Sequence, residues 1–199
     1  MYLFTKRFSD ILLASFALIL LLPLFFFLYL LIYLTSGKPV FFKQERVGKN
    51  WEIFYIYKFR TMKDEGDRDD SGVTSADDSR ITKIGRILRR YKIDELPQLI
   101  NVLWGKMSFV GPRPELKKFA MVYQNEYDKI LKSKPGISDF ASIKYRNENS
   151  MLKENENPEM YYLNNILPDK INLNKKYISE ASVFTDFKII ITTLKTIFK

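Results

Sequence analysis

Histidine and cysteine are both absent from the 199 residues of this chain. Without histidine there is no imidazole base or imidazole zinc ligand, and without cysteine there is no thiol nucleophile, disulfide or iron–sulfur cluster. A hydrolase that depends on a Ser-His-Asp triad is excluded for the same reason. Any bound metal ion must be held by oxygen atoms, which favours Mg²⁺, Mn²⁺ or Ca²⁺. Acid–base or nucleophilic chemistry must come from carboxylates, Lys, Tyr, Ser or Thr.

Charge is also lacking over one long stretch near the N-terminus, although the chain as a whole carries a formal charge of +9. Residues 11–34 form a run of 24 residues in which Tyr29 and Tyr33 are the only ionisable side chains. As a straight helix this run would reach about 36 Å, enough to cross a hydrocarbon core of about 30 Å. The run therefore predicts a membrane segment.

Pro23 lies at the middle of this segment, where it removes one backbone hydrogen bond and predicts a bend. Two interpretations follow: a kinked helix that spans the membrane, or a re-entrant helix whose two ends face the same side. Basic residues flank the run on both sides, with Lys6 and Arg7 before it and Lys38 and Lys43 after it, so the positive-inside rule gives no strong asymmetry. This favours the re-entrant form.

The patterns in residues 37–199 predict a single mixed, helix-rich α/β domain with amphipathic helices at its surface. Strands are predicted at 40–42 and 53–59, with a turn at 45–50 between them and an acidic, solvated loop at 63–79. Helices are predicted at 81–90, from about Asp94 or Glu95 onward, at 116–132 and at 184–198, whereas 108–115 is expected to be a rigid turn and 147–175 a loop with short helical pieces. The basic face of the helix at 81–90 could contact solvent, lipid headgroups or an anionic substrate. The C-terminal helix could lie at the membrane interface or pack in the core.

Asp94 and Glu95 form the sharpest local feature, because two adjacent carboxylates stand at a predicted helix start between the arginines at 89 and 113. One interpretation is a helix N-cap, which explains many an Asp in this position. A cap does not need the second carboxylate or the arginines, however. Two acids can instead hold Mg²⁺ or divide into a nucleophile and a base, while arginines neutralise a phosphate.

The segment from Lys92 to Glu115, KIDELPQLINVLWGKMSFVGPRPE, resembles the core signature of the bacterial sugar transferases known as small monotopic phosphoglycosyl transferases. The resemblance covers most of the chain, and its further motifs occur in the same order. They are the Lys6-Arg7-x-x-Asp10 entry, the Pro-broken apolar segment, QERVGKN at 44–50, YKFRTM at 57–62, DSRITKIGRILR at 78–89 and KPGI at 134–137.

This resemblance implies a re-entrant membrane helix over 1–36 and a catalytic domain over 37–199 on the cytoplasmic face of the bacterial inner membrane. It implies Mg²⁺, with Mn²⁺ as a substitute, a UDP-sugar donor and a polyprenyl (undecaprenyl) phosphate acceptor. It also implies that the enzyme starts the assembly of a glycoconjugate such as O-antigen, capsule, exopolysaccharide or a glycoprotein glycan. A homodimer is left open, and no nucleic acid is expected.

Carried over residue by residue, Asp94 would attack the sugar-linked phosphate and release UMP, and the lipid phosphate would then displace the phosphosugar from the enzyme. Glu95 would serve as a metal ligand with Asp94 or as a base toward the acceptor. The residues expected around the substrate phosphates are Lys58, Arg89, Arg113 and Arg146.

The sequence departs from the family pattern at two places. Leu22 stands where many relatives have Ser before the membrane proline. SDFASIKYR at 138–146 replaces a TG-x-AQV-x-GR pattern, in which Arg146 keeps its place but Asp139, Ser142 and Tyr145 do not match. Because loops near the donor are where relatives differ, the resemblance leaves the sugar and the nucleotide open.

The principal alternative is a binding protein, in which a membrane-tethered basic domain docks nucleic acid or anionic lipid. That interpretation gives Asp94 and Glu95 no use, and the acidic loop at 63–79 speaks against it.

Overall fold

One long apolar helix precedes the rest of the fold in the computed structural model, which describes residues 2–63, 74–75 and 77–197. Helix α1 runs without interruption from Tyr2 to Ser36 and includes Pro23. Within the described residues it is the one helix that is long and apolar enough to cross a membrane. The predicted apolar N-terminal segment is thus confirmed as one long helix. The helical assignment continues through Pro23, so the proline does not end it.

The N-terminal end of α1 is fixed to the rest of the protein by polar contacts. The Arg7 guanidinium donates to the carbonyl oxygens of Val102 and Leu103 at 2.6 and 2.8 Å. Asp10 is buried, and its Oδ1 accepts a hydrogen bond from the backbone N–H of Phe109 at 3.1 Å. The Lys-Arg-x-x-Asp motif therefore docks this end of the helix onto the chain around residues 102–109.

The C-terminal end of α1 packs onto the same body through apolar side chains. Leu28 and Ile32 are buried in a cluster with Val40, Phe59 and Leu88. Between these two docked ends, none of the residues 15–27 is buried. The middle of α1 is therefore less buried than its two ends, although Leu24 and Phe25 still pack against the cluster with Phe59.

A β-hairpin follows α1 and confirms the two predicted strands. Strand β1 (Phe41–Val47) pairs antiparallel with β2 (Ile53–Phe59), with Phe41 opposite Phe59 and Val47 opposite Ile53. The predicted turn at 45–50 is partly wrong, because the first strand extends to Val47 and a short 3₁₀ turn over Lys49–Trp51 makes the connection. Most of the predicted acidic loop (residues 64–73 and 76) lies outside the described residues.

The central part of the chain contains two short strands that the sequence did not predict. After α2 (Lys83–Arg90) and α3 (Gln98–Leu103), strand β3 (Ser108–Val110) pairs in parallel with β4 (Gly136–Ser138). The two chains approach closely, because a Cβ on Gly136 would lie 2.1 Å from the backbone N of Gly111. The helix predicted at 116–132 is present as α4 (Lys117–Val122) and α5 (Gln124–Ile130), which meet at Tyr123.

The C-terminal part of the chain is more helical than expected. Helices α6 (Phe140–Lys144), α7 (Glu148–Lys153) and α8 (Pro158–Tyr161) lead through a π turn (Tyr162–Ile166) into α9 (Leu167–Glu180). The prediction of a loop with short helical pieces at 147–175 is confirmed for α7 and α8 and is wrong from Tyr162 onward, where the helix is continuous. A buried apolar stripe overrides the polar composition, and it packs into the main core cluster with Tyr162, Ile166, Leu167 and Ile171.

Helix α10 (Val183–Ile197) confirms the predicted C-terminal helix. Ile189 on one side is buried against Val110 and Tyr177, whereas Phe184 and Phe187 on other sides are 77% and 62% exposed. The helix thus contributes to the core and also presents large apolar side chains outward.

Candidate active site

The two adjacent carboxylates lie in a tight turn before α3. Residues Ile93–Glu95 form a single 3₁₀ turn that follows Lys92, whose φ of 54° is in the left-handed region. The α-helix begins at Gln98, later than expected, and Pro97 occupies its N-cap position. Neither turn nor helix has a side-chain cap, so the N-cap interpretation of Asp94 is wrong.

Helix α3 is held against the hairpin by a buried amide. Asn101 donates through Nδ2 to the carbonyl of Tyr55 at 2.7 Å, and its Oδ1 accepts from the backbone N–H of Tyr57 at 3.2 Å. Because Lys58 is the next residue of β2, this clamp fixes the distance between the lysine and the acidic turn that precedes α3.

Glu95 is fully engaged by two cations. Lys58 donates to its Oε1 at 2.8 Å, and the Arg113 guanidinium reaches both oxygens, with Nη1 at 3.1 Å from Oε2 and Nη2 on Oε1. Burial raises the pKa of the Glu95 carboxyl, but Arg113 and Lys58 together outweigh burial and hold that pKa well below its usual range. Glu95 is therefore an ionised carboxylate whose charge is already balanced.

Asp94 is buried next to this arrangement but lacks its contacts. It is 6% exposed, and its Oδ1 has no hydrogen-bond partner. Burial raises the pKa of Asp94, and the positive charge of Lys58 opposes that effect. An aspartate whose oxygen is not taken up by donors, and whose pKa is raised, is a candidate nucleophile or ligand rather than a structural group.

Arg89 reaches the site from α2, as the resemblance implied. Thr82 caps this helix by accepting from the N–H of Gly85, and a Cβ on Gly85 would lie 2.1 Å from the carbonyl oxygen of Thr61. At this close approach, Arg89 Nε donates to Thr61 Oγ1 at 2.8 Å, while its Nη1 is buried without a partner. Leu88 is buried as predicted, but Ile87 is 58% exposed, so the apolar face is narrower than expected.

Arg146 lines the cavity that also contains Asp94 and Glu95. Among the described residues, no hydrogen bond or ion pair joins Arg146 to either acid. Arg146 follows α6, and its Nη2 donates to the carbonyl oxygen of Ile197 at the end of α10 at 2.9 Å. Of the four predicted phosphate-binding residues, the structure brings Lys58 and Arg113 onto Glu95, places Arg89 near Asp94, and ties Arg146 to the C-terminal helix.

The departing segment 138–146 contains a site residue that the sequence reasoning missed. Asp139 caps α6 in a reciprocal capping box with Ser142, and its Oδ2 also accepts from the backbone N–H of Arg113 at 3.2 Å. An Asp followed three residues later by a side-chain acceptor is a signal for such a cap. The contact with Arg113 has no local signal. Tyr145, another departure, donates to Asp169 and serves the packing of α6 on α9.

Asp94, Glu95 and the four predicted phosphate-binding residues line one cavity of about 2120 Å³. It extends from the acidic pair to apolar side chains of α1, so polar and lipid-like groups can enter the same space. The lining from α1 consists of Leu13, Phe16 and Ala17.

The carboxylate oxygens at this site are the type of ligand that a hard cation such as Mg²⁺ prefers. Within the described part of the chain no three Asp or Glu side chains gather as a metal centre, so a cation would have few protein ligands. The buried, unpartnered Asp94 oxygen is the kind of ligand Mg²⁺ prefers, whereas both oxygens of Glu95 already accept from cations. Mg²⁺ is usually bound by one or two carboxylates and by substrate phosphates, which this arrangement allows.

Comparison with known proteins gives one consistent result. A profile described as bacterial sugar transferase matches residues 1–199. An uncharacterized sugar transferase of Bacillus subtilis (strain 168), EpsL, is 38% identical over 192 residues, which cover 96% of this chain and 86% of the relative.

Two longer relatives have specific names. The UDP-glucose:undecaprenyl-phosphate glucose-1-phosphate transferase of Escherichia coli (strain K12) is 37% identical over 199 residues, 95% of this chain and 39% of the relative. The UDP-N-acetylgalactosamine-undecaprenyl-phosphate N-acetylgalactosaminephosphotransferase of Aeromonas hydrophila is 36% identical over 201 residues, 98% of this chain and 44% of the relative. This chain thus spans less than half the length of these two proteins. The family named from the sequence motifs is confirmed, and the chain belongs to the bacterial sugar transferase family.

Proposed function

We propose that this protein transfers a sugar phosphate from a UDP-sugar to undecaprenyl phosphate, and so starts the assembly of a polysaccharide or another glycoconjugate. The observation that carries the proposal is Asp94, a buried carboxylate with an unpartnered oxygen, beside a Glu95 that two cations hold. The names of the two longer relatives support the substrate classes.

The reaction proceeds through two displacements at one phosphorus atom. An oxygen of the Asp94 carboxylate attacks the sugar-linked phosphorus of the donor, the bond to the bridging oxygen breaks, and UMP leaves with that electron pair. An oxygen of the lipid phosphate then attacks the same phosphorus and breaks its bond to Asp94. The products are polyprenyl-diphosphate-sugar and the regenerated carboxylate.

The basic residues around the dyad neutralise the charge of the donor diphosphate. Arg113 and Lys58 face Glu95 from two sides, and Arg89 carries a buried Nη1 without a partner. Positive charge held in place by buried contacts stabilises phosphoryl transfer without having to reorganise during the reaction. Arg146, at another part of the cavity wall, would contact the donor away from the reacting phosphorus.

Mg²⁺ is the metal that this donor set fits, and Mn²⁺ would replace it. When bound, it would neutralise the negative charge of the donor diphosphate. Asp94 would hold it together with oxygens of the substrate. Both oxygens of Glu95 already accept hydrogen bonds from Lys58 or Arg113. Glu95 would therefore act mainly by holding these two cations in place, on the side of the site where the lipid phosphate binds.

We propose that α1 is re-entrant and that the domain lies on the cytoplasmic face of the inner membrane. Support comes from its two docked ends: Arg7 and Asp10 at one end and Leu28 and Ile32 at the other contact the same body. A charged domain that holds both ends of one helix must lie on one side of the bilayer. Residues 15–27, none of which is buried and which include Pro23, would form the inserted part. The exposed Phe184 and Phe187 of α10 suit the same interface.

The activity is tested by incubating the purified protein in nanodiscs with undecaprenyl phosphate, Mg²⁺ and a panel of UDP-sugars, and by measuring UMP. We expect UMP release with at least one donor, and loss of release in EDTA that Mg²⁺ or Mn²⁺ restores. No release with any donor would contradict the proposal and favour a membrane-tethered binding protein.

The covalent step is tested by intact mass after incubation with the active donor alone. The wild type and Glu95→Gln should carry a phosphosugar, whereas Asp94→Asn should not, with turnover reduced by about 10³-fold or more. Glu52→Gln, at an exposed pair with Lys106, is the matched control and should behave as the wild type. An adduct on Asp94→Asn would exclude Asp94 as the nucleophile.

The topology is tested with single cysteines, which report without background because the chain has none. Leu3 and Lys129 are exposed positions at the start of α1 and on α5. Both variants, Leu3→Cys and Lys129→Cys, should react with an impermeant thiol reagent only from the cytoplasmic side. Labelling from opposite sides would show that α1 spans the membrane.

A further inference from the structure

The side chain of Asp139 makes two different contacts with its two oxygens. Oδ1 accepts from the backbone N–H of Ser142 at 2.6 Å and caps α6. Oδ2 accepts from the backbone N–H of Arg113 at 3.2 Å, on a loop that is 26 residues away in sequence. Asp139 is only 1% exposed, so neither contact competes with solvent. A helix cap needs only the first of these contacts.

The second contact is one of several hydrogen bonds that join the loop after β3 to the segment around β4. The N–H of Gly111 donates to the carbonyl of Ser138 at 3.1 Å, and the N–H of Gly136 donates to the carbonyl of Pro112 at 3.0 Å. Asp139 follows directly after β4, and its side chain supplies the acceptor for the backbone N–H of Arg113. The loop that carries Arg113 is thereby held at Gly111, Pro112 and Arg113.

The guanidinium of Arg113 reaches from this loop to Glu95. Nη1 lies 3.1 Å from Oε2, and Nη2 also contacts the carboxylate. The Arg113 side chain is 31% exposed, so its own burial does not fix its position. Its guanidinium contacts Glu95 and lies 3.5 Å from the carbonyl oxygen of Ile137, and its starting point is set by the backbone that Asp139 holds. The contacts therefore form a series from Asp139 through Arg113 to Glu95, which is bonded along the chain to Asp94.

We propose that Asp139 is a positioning residue that sets the Arg113 loop, and through Arg113 the Glu95 carboxylate, for binding of the donor diphosphate. The inference rests on the proposed function for its catalytic consequence, but its structural part concerns this chain alone. The residue lies in the segment SDFASIKYR, where the sequence departs from the family pattern. This chain thus uses a buried carboxylate of its own to hold an arginine that the family motif supplies.

Two substitutions separate the cap from the positioning contact. Asp139→Ser keeps a good N-cap, because serine accepts from Ser142 N–H, but its shorter side chain loses the contact with Arg113. Ser142→Ala removes the return half of the capping box, in which Ser142 Oγ accepts from the N–H of Asp139 at 2.9 Å, and leaves the contact with Arg113 in place. Each of the two variants therefore changes the cap of α6, but only Asp139→Ser removes the contact with Arg113.

Hydrogen exchange gives a readout that does not depend on activity. In the full chain in nanodiscs, amide exchange over residues 111–115 should be about tenfold faster in Asp139→Ser than in the wild type, because the Arg113 N–H loses its acceptor. Ser142→Ala should leave this segment unchanged and affect only residues 139–144. Equal exchange at 111–115 in all three proteins would overturn the proposal.

Kinetics tests the functional consequence with undecaprenyl phosphate, Mg²⁺ and the UDP-sugar that gives turnover. We expect Asp139→Ser to lower kcat/KM by about tenfold or more, and Ser142→Ala by less than about threefold. In an Arg113→Lys background, Asp139→Ser should add less than about threefold, because both act through one group.

Equal losses in the two single variants, or additive losses in the double variant, would reduce Asp139 to a structural cap. If the wild type turns over none of the donors, the proposed function fails. The exchange experiment still decides the positioning contact in that case.

Discussion

Replacing Glu95 by Gln removes a buried carboxylate that two half-buried cations share. Lys58 Nζ lies 2.8 Å from Oε1, and the side-chain exposures of Glu95 and Lys58 are 9% and 19%. Arg113 binds the same carboxylate and is 31% exposed. The substitution preserves size and shape, so its effect on stability reports the loss of charge. Both cations would remain next to a neutral amide.

The expected magnitude follows from how deeply each partner is buried. Breaking a buried pair by removal of one partner costs about 3–5 kcal/mol, and the partial exposure of Arg113 places this case near the lower end. A loss of about 3 kcal/mol in a protein of this size corresponds to a fall in Tm of about 6–12 °C.

Glu52→Gln is the control, because Glu52 pairs with Lys106 at side-chain exposures of 60% and 44%. An exposed pair contributes about 0–1 kcal/mol, so its Tm should fall by no more than about 4 °C. Both variants and the wild type would be unfolded thermally at pH 7 in the same nanodiscs, with intrinsic fluorescence as the signal.

The pH dependence has a definite sign. Arg113 and Lys58 hold the pKa of Glu95 below its usual range against the opposing effect of burial. The stability it contributes is present above the ordinary carboxyl pKa and is lost as the pH falls through the depressed pKa. The gap between wild type and Glu95→Gln should therefore be full at pH 7 and narrow in strong acid. If Glu95→Gln were no less stable than Glu52→Gln at pH 7, the shared buried charge pair would not be a stabilising contact.

Three further predictions follow from other parts of the structure. Gly136→Ala should prevent accumulation of folded protein, measured by size exclusion in detergent, because its Cβ would lie 2.1 Å from the backbone N of Gly111. Arg7→Gln should speed amide exchange at the end of α3 by about tenfold, because the carbonyls of Val102 and Leu103 lose their charged donor. Asp94→Asn should leave Tm unchanged or raise it, since burial raises the pKa of Asp94 and its ionised form costs stability as the pH rises through that pKa. A fall in Tm of several degrees for Asp94→Asn would show that its charge stabilises the fold.

Local patterns were sufficient for the elements whose signal is contained in one segment. The apolar run predicted α1, the aromatic and β-branched stretch predicted β2, and helical spacing predicted α10. In contrast, β3 and β4 have three residues each and gain their hydrogen bonds from each other across 28 positions of the sequence. A parallel pair of that length has no alternation long enough to detect.

Helix α9 shows the opposite failure. Its segment is rich in asparagine, which predicted a loop, yet Asn174 and the aliphatic and aromatic residues on the same side are buried. Tertiary packing of one apolar stripe outweighs a weak intrinsic propensity. The start of the preceding helix α8 does have a sequence signal: Asn157 caps it by accepting from the N–H of Met160, and Pro158 occupies the first helical position.

The site residues were identified by motif, but their partners were not. Lys58 and Arg113 were expected around substrate phosphates, and the structure places both on Glu95. The pairing depends on how β2, the acidic turn and the loop after β3 come together, and no local pattern carries that information. The sequence marks Asp139 only as a departure from the family pattern, and no local pattern predicts that its buried carboxylate contacts the loop of Arg113.

The different environments of Asp94 and Glu95 have a geometric origin in the turn that holds them. Successive side chains in a 3₁₀ turn point about 120° apart, so the two neighbouring acids point in different directions. Glu95 faces β2 and the arginine loop and is ionised by their charges. For Asp94, burial outweighs the charge of Lys58 and raises the pKa, and Oδ1 has no hydrogen-bond donor. A group that already accepts several strong hydrogen bonds is a poor nucleophile. In the proposed mechanism, Asp94 needs free lone pairs to attack the phosphorus of the donor. The same lack of hydrogen-bond donors leaves its charge unstabilised in a buried position, which raises its pKa.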